Sequence, residues 1–369
     1  MITLAQLIKT FEADLRTQYH DRLRAEHLHA LAAMKHCRSQ ASPKMLVKCD
    51  QCEHQILVPH SCGHRHCPHC QHHESQQWLE RQLAKQVPAQ YFLLTFTLPA
   101  EFRPVAWTHQ RIVYDLLMRC SWETLRTFSH NDKQLRGMPG AIAVLHTHTR
   151  QLDYHPHVHL VMPAAAIDAT RKLWRTKQPA GAKANYLFNH KALAKVFRAK
   201  FLAALHAASI RLPDRHPKQW VVDCKSVGSG HKALVYLGRY LYRGVISEKD
   251  ILAYDDSSVS FRYRDAKTNS TVRKTVTGAQ FLWLVLQHVL PKGFRRARNF
   301  GFLHPNCKRL IALLHLILKI VPAAAQVWVK PRAPISCSSC GGVMLIIKTQ
   351  IRNLFCAPAP GPSPDGGAL

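Results

Sequence analysis

The stretch His155-Pro156-His157-Val158-His159-Leu160-Val161-Met162 is the one from which the rest of the chain is read. In a strand, successive side chains alternate between faces, so His155, His157 and His159 share one face while Val158 and Leu160 point into a core. Just before it, residues 141–149 (AIAVLHTHT) form a second β-rich run, with His146 and His148 at the same two-residue spacing. The short connection RQLDY predicts a hairpin. Pairing of the two strands would bring several imidazoles onto one patch of sheet. A lone strand histidine is usually structural, but two pairs facing each other across a hairpin carry the pattern of a metal site.

Downstream, residues 231–243 (HKALVYLGRYLYR) read as a helix, with Ser229 as N-cap and Gly244 as its stop. Tyr236 and Tyr240 are four apart and therefore stack on one face, while Arg239 and Arg243 make a second pair on an adjacent stripe suited to phosphate. Two aromatic residues at helical spacing are ordinarily core. Here a histidine strand and a basic chain accompany them, and a tyrosine hydroxyl, with a pKa near ~10, becomes a nucleophile once a metal or base assists it.

The chain has 369 residues, with 51 Lys and Arg against 22 Asp and Glu, a formal charge of +29. Self-repulsion on that scale calls for a polyanion, and nucleic acid is the commonest one. A membrane surface is the weaker reading. The N-terminus (MITLAQLIKTFEADLRTQYHDRL) has the pattern of an amphipathic helix with acidic residues rather than a secretory segment. His315, Lys319 and Pro322 interrupt the apolar run 310–329, which reads as a buried helix. The expectation is a cytoplasmic protein, nucleoid-associated when bound to DNA, with no membrane contact and no small-molecule substrate.

Six of the twelve cysteines fall between Cys37 and Cys70. In a cytosolic chain such clustering argues for metal rather than disulfides. Cys49-x2-Cys52 and Cys67-x2-Cys70, fourteen residues apart, have the spacing of two knuckles around one structural Zn²⁺, which would leave no open coordination position. Cys37, Cys62, His60, His64 and His66 remain for a second site or for the local fold. Cys337-x2-Cys340 is half a site, to be completed by Cys307 or Cys356 or to stay metal-free. A zinc deaminase is excluded, because P-C-x-x-C does not occur and Cys67-Pro68-His69-Cys70 places the proline inside the pair.

Four regions follow: a helical segment 1–36, a zinc-binding domain 37–75, a long α/β-alternating region 76–303, and a C-terminal region 304–369 with an apolar helix, the CxxC and a Pro/Gly tail from Ala357 expected to be disordered. Within the long region we expect a strand over 91–98, helices over 105–128, 191–208 and 278–290, and a β-meander over 251–276.

Three motifs in this order, YFLLTFTLP (91–99), HPHVH (155–159) and YLGRY (236–240), resemble the motifs of the HUH endonucleases. With the ribbon SCGHRHCPHC and Trp78 before them, the chain is similar to the two-tyrosine rolling-circle transposases of the insertion-sequence-ninety-one type. AIAVLHTHT and HVLPKGFRRARNFGFL (288–303) extend the similarity over residues 37–303. The resemblance implies an α+β fold: an antiparallel-sheet HUH endonuclease domain with flanking helices, preceded by a small zinc ribbon. It implies Mg²⁺ or Mn²⁺ on His157 and His159; it assigns no third ligand, for which His146 is the candidate on strand geometry alone. Tyr236 and Tyr240 would be the nucleophiles, and single-stranded element ends the DNA partner. His148 stands where the family pattern often has Trp, and Tyr242 where it often has His. Rival readings are a replication initiator or relaxase with the same chemistry, or a non-catalytic zinc-ribbon nucleic-acid-binding protein.

Overall fold

A computed structural model describes residues 2–70, 72–168, 170–178, 186–242, 244–265, 268–320 and 335–351. The chain opens with α1 (Leu4–Gln18) and α2 (Ala25–Lys35), followed by the hairpin strands β1 (Lys44–Cys49) and β2 (Gln55–Pro59) and by α3 (His72–Leu83). Then come β3 (Tyr91–Thr97), α4 (Arg103–Thr108), α5 (Gln110–Asn131), β4 (Met138–His148), β5 (Tyr154–Pro163), β6 (Ala165–Asp168) and β7 (Leu173–Thr176). The chain continues through α6 (His190–Ala207), β8 (Val222–Ser226), α7 (His231–Tyr242) and a meander of β9 (Ile251–Tyr254), β10 (Ser258–Arg264) and β11 (Thr271–Thr277). It ends on α8 (Gly278–Leu286), β12 (Ala297–Gly301), α9 (Lys308–Ile317) and β13 (Met344–Ile351).

The expected hairpin is β4–β5, antiparallel, and it forms the centre of a seven-stranded sheet ordered β7-β6-β4-β5-β3-β8, with β12 also pairing to β4. Every recorded strand pair is antiparallel, so the expected α+β class is what the chain forms. Alternation sorts the two faces. Phe92, Leu94, Phe96, Ala143, Leu145, Val158 and Leu160 pack with α5 and α6 in one core. Ile142, Val144 and Val161 pack on the other side with Trp78 and Leu79 of α3 and Leu234, Leu237 and Leu241 of α7. This second face continues along the strands into His146 and His159, so α7 lies on the histidine side of the sheet.

A third core joins α1, α2 and α8 to the meander. The apolar stripe of α1 (Leu4, Leu7, Ile8, Phe11, Leu15) is buried there, and Thr3 caps the helix in a capping box with Gln6. Phe11 packs so closely on the start of α8 that a Cβ on Gly278 would lie 2.1 Å from its ring. The segment 1–36 is thus part of this core.

Several expectations are corrected. The helix expected over 105–128 is two helices that break at His109. The apolar run from Leu310 is a surface helix up to Ile317, with Ile311 and Leu314 buried and Leu313, Leu316 and Ile317 exposed; residues 321–329 lie outside the described part, as do Cys356 and the tail from Ala357. None of the helices described is long and apolar enough to cross a membrane.

The single four-cysteine site expected from Cys49, Cys52, Cys67 and Cys70 is not assembled. Cys67 and Cys70 group with Cys37 and Cys62, whereas Cys49 and Cys52 group with Cys337 and Cys340. The reason is the length of β1, in which Lys44 pairs with Pro59 at one end and Cys49 lies at the other. Six strand residues separate the two ends by about 17 Å at ~3.3 Å per step, which one tetrahedron cannot span.

Candidate active site

The β4–β5 register places His146 directly opposite His157, and Val144 opposite His159. On its other edge β5 pairs with β3, setting Thr95 beside His159 and Thr97 beside His157. Ring nitrogens of His146, His157 and His159 lie within 4.8 Å of one another. Nδ1 of His157 donates to the carbonyl of His155 at 2.7 Å, so its Nε2 keeps a free lone pair. Nδ1 of His159 hydrogen-bonds Thr95 Oγ1 at 2.9 Å. Nε2 of His146 is buried with no hydrogen-bond partner, the mark of an atom aimed at a group the polypeptide does not supply. Burial pushes His157 down to about 3 and His159 down to about 4, and it holds His146 well below the usual histidine range. Neutral imidazoles are the ligating form. The three side chains therefore fit a shared divalent ion.

The strand pattern of three alternating histidines narrows here. His155, though on the same face, is engaged at Nδ1 by Arg103 at 3.0 Å. A register shift between His146 and His148 re-aims His148 toward α7, where its Nδ1 lies 3.0 Å from the Tyr240 hydroxyl.

Helix α7 crosses this patch because Gly238 lets it settle on α3. A Cβ at Gly238 would sit 3.3 Å from the Trp78 ring, and Ser75 Oγ donates to the Gly238 carbonyl at 3.2 Å. Gly230, not Ser229, starts the helix, accepting at its carbonyl from Leu234 N–H at 3.0 Å. Tyr240 stacks on His146, with ring centroids 3.2 Å apart and planes 5° from parallel. Its hydroxyl also accepts from the Thr147 amide at 3.2 Å, and the Arg296 guanidinium lies 4.5 Å over its ring. Burial raises the Tyr240 hydroxyl above the ordinary tyrosine value, with Arg296 acting in the opposite direction.

Tyr236, one turn earlier, is 50% exposed, and its ring lies 6.2 Å from the rings of both His146 and His159. Burial raises its hydroxyl too, as does the neighbouring Tyr240, while Arg150 lowers it. Tyr242 points elsewhere, into the core shared with α3. A cleft of about 730 Å³ opens beside the tyrosines, lined by His148, Tyr236, Arg239, Tyr240 and Lys249 among others. Arg239 is exposed at this cleft, and Arg243 lies outside the described residues.

Four contributors escaped the sequence reading: Thr95, Thr147, Gly238 and Arg296. Arg296 had a signal, since it lies in the similar segment 288–303; it reaches the site because β12 pairs with β4, and its Nε donates to the Leu145 carbonyl at 3.1 Å.

Family models match two segments: one described as "Transposase zinc-binding domain" over residues 7–98, and one described as "Putative transposase" over residues 140–310, which contains both the histidine strands and α7. The chain is 32% identical, over 346 residues, to "Putative transposase y4qJ" of Sinorhizobium fredii, covering 85% of this chain and 86% of that one. The chain belongs to the insertion-sequence-ninety-one family of transposases. Another member, the transposase for insertion sequence element IS801 of Pseudomonas savastanoi pv. phaseolicola, is 26% identical over 326 residues, covering 80% of this chain and 76% of that one. Among solved structures, the conjugative relaxase TrwC in complex with OriT DNA overlays with a TM-score of 0.26 at 14% identity, covering 63% of this chain and 73% of that one; so loose an overlay carries no argument. As an insertion-sequence transposase this protein acts on DNA, and its N-terminal zinc-binding domain contains the cysteine group Cys37, Cys62, Cys67 and Cys70, with Sγ–Sγ separations of 3.5–3.7 Å.

Proposed function

We propose that this transposase nicks and rejoins single-stranded DNA at element ends through 5′-phosphotyrosine intermediates, the chemistry of rolling-circle transposition. The observation that carries the reading is the placement of Tyr236 and Tyr240 over the His146–His157–His159 triad. A hydrolytic nuclease has no use for a tyrosine pair there. The histidines would hold Mg²⁺ or Mn²⁺, which supplies polarisation of a phosphate oxygen and neutralisation of charge as the displacement proceeds.

Tyr236, exposed at the cleft, is the side chain placed to attack first. Its oxygen bonds to phosphorus, the bond from phosphorus to the 3′ oxygen breaks, and the tyrosine proton leaves with the released 3′ hydroxyl. The phosphotyrosine keeps the energy of the broken bond, so a later 3′ hydroxyl can attack it and restore the tyrosine without a nucleotide cofactor. Tyr240, held at its hydroxyl by Thr147 and His148, is the reserve nucleophile for the second strand. Arg239 and the large basic excess bind the phosphate backbone.

The test is a denaturing gel of the purified protein with a labelled single-stranded element end and Mn²⁺. Expected are a free 3′ hydroxyl fragment and a protein-linked 5′ fragment, both lost on chelation, with binding that weakens steeply as salt rises. A free 5′ phosphate without adduct, or cleavage that survives chelation, refutes the reading.

A further inference from the structure

Cys49, Cys52, Cys337 and Cys340 come from opposite ends of the chain, yet their Sγ atoms all lie within 4.8 Å of one another. Cys49 Sγ is 3.5 Å from Cys340 Sγ, and Cys52 Sγ is 3.6 Å from Cys337 Sγ. Four thiolates around Zn²⁺ at ~2.3 Å stand about 3.8 Å apart, so these spacings are close to those of a metal tetrahedron and far from a bonded disulfide.

The backbone is built the same way at both pairs. Cys49 N–H donates to the carbonyl five residues on, that of His54, at 2.8 Å, and Cys337 N–H donates to that of Gly342 at 2.8 Å. The amide two residues past each first cysteine donates to its sulfur, Gln51 to Cys49 and Ser339 to Cys337, both at 3.4 Å. The residue after each second cysteine, Glu53 and Gly341, has a left-handed φ of 60° and 77°. Matching turns that aim peptide N–H groups at sulfur favour thiolates over thiols. The two knuckles are docked to each other: Asp50 N–H donates to the Val343 carbonyl at 3.0 Å, and β13 pairs with β1 to extend the β1–β2 hairpin. Gly342 allows the approach, since a Cβ there would lie 3.1 Å from Cys49 Sγ.

We infer that these four cysteines form a second structural zinc site, completed only by the C-terminal Cys337–Cys340 knuckle, which clasps the C-terminal hairpin onto the N-terminal one. The transposase zinc-binding match ends at residue 98 and so contains half of this site. The clasp needs a metal because its own core is so small: Met45, Val47, Cys49, Cys337 and Met344 are the buried members. A three-stranded sheet with so few apolar contacts requires a staple to hold. The site is more open than the Cys37–Cys62–Cys67–Cys70 group, with Cys52 and Cys340 exposed, so it gives up its metal first.

Zinc per chain, measured by elemental analysis of the full-length protein, tests the inference. Wild type is expected to hold two zinc ions and the Cys337→Ser/Cys340→Ser protein one. Unchanged zinc content in the double variant overturns it, as does a wild type holding a single zinc. A second measurement does not depend on how the variant folds. Hydrogen exchange of the wild type during chelation should show residues 44–59 and 335–351 losing protection together, on release of the first zinc equivalent. Loss of the first zinc with protection of 335–351 intact refutes the clasp.

Discussion

The hydroxyl of Tyr240 stands 3.0 Å from Nδ1 of His148. Tyr236, four residues earlier on the same helix, has no comparable tie among the described residues and is half exposed to the cleft. The two tyrosines are thus chemically unequal before any DNA arrives, although their spacing makes them look interchangeable. We expect the first covalent adduct on a single-stranded end substrate to map to Tyr236 by mass spectrometry. Tyr236→Phe should slow its formation at least ~100-fold, a loss on the scale of a removed reacting group. His148→Ala should raise the share of adduct on Tyr240, and Tyr242→Phe should match wild type. Adduct on Tyr242 would refute the assignment.

His146→Ala and His157→Ala are each expected to lower nicking by ~10²–10³-fold, the range for loss of one group that stabilises transition-state charge. DNA affinity should change little, because phosphate contacts by Lys and Arg carry it. Filter binding and nicking measured on the same preparations check the split; nicking at the wild-type rate in either variant would make the histidine patch merely structural.

Gly238 offers a test of positioning without touching a reacting atom. Val at this position would push against the Trp78 ring, already 3.3 Å from where a Cβ would sit, at a cost of about 1–3 kcal/mol for overpacking. Thermal unfolding should shift down by a few degrees, while adduct formation at a temperature where the variant is fully folded should fall much further. An adduct rate equal to wild type would show that the α3–α7 contact does not set the site.

Much of this site was legible from spacing. HPHVH specifies a strand with its histidines on one face, YLGRY specifies a helix with both tyrosines on another, and the pairing His146–His157 follows from a short hairpin. What spacing could not give is long-range pairing. The strand β12 is a run of ARNFG with no alternation to mark it, and only its pairing with β4 makes it a strand and brings Arg296 to Tyr240. The cysteines were misassigned for a related reason. A CxxC marks a knuckle, but which knuckles meet depends on where the hairpin between them points. Cys337 finds Cys52 only because β13 pairs with β1.

His27 makes part of the stability acid-sensitive. Its ring packs against both Trp107 and Trp283, which also touch each other, its Nδ1 accepts from the Arg24 amide at 3.1 Å, and burial pushes it down to about 4. The folded chain keeps it neutral while the unfolded chain binds a proton below about 6.5. This contribution is therefore whole above pH 6.5 and declines as pH falls toward 4, by roughly 3 kcal/mol in full. His27→Asn, which retains an acceptor near the Nδ1 position without titrating, should narrow the gap in Tm between pH 7.5 and pH 5 seen by calorimetry, the two pH values chosen on the order of one unit or more either side of 6.5. An unchanged gap would mean that other groups carry the acid response.

The burial of α1 against α8 sets a waiting time during synthesis. Leu4, Leu7, Ile8, Phe11 and Leu15 leave the ribosome as an amphipathic stripe that α2 covers only in part, and its main partner α8 is encoded roughly 260 residues later, which at ~5–20 residues per second leaves it incompletely covered for on the order of ten to fifty seconds. The seven-stranded sheet is complete, apart from β12, before the first helix can dock on α8. Nascent chains are therefore most exposed to wrong association through their oldest residues, and slower elongation anywhere between β3 and α8 lengthens that hazard.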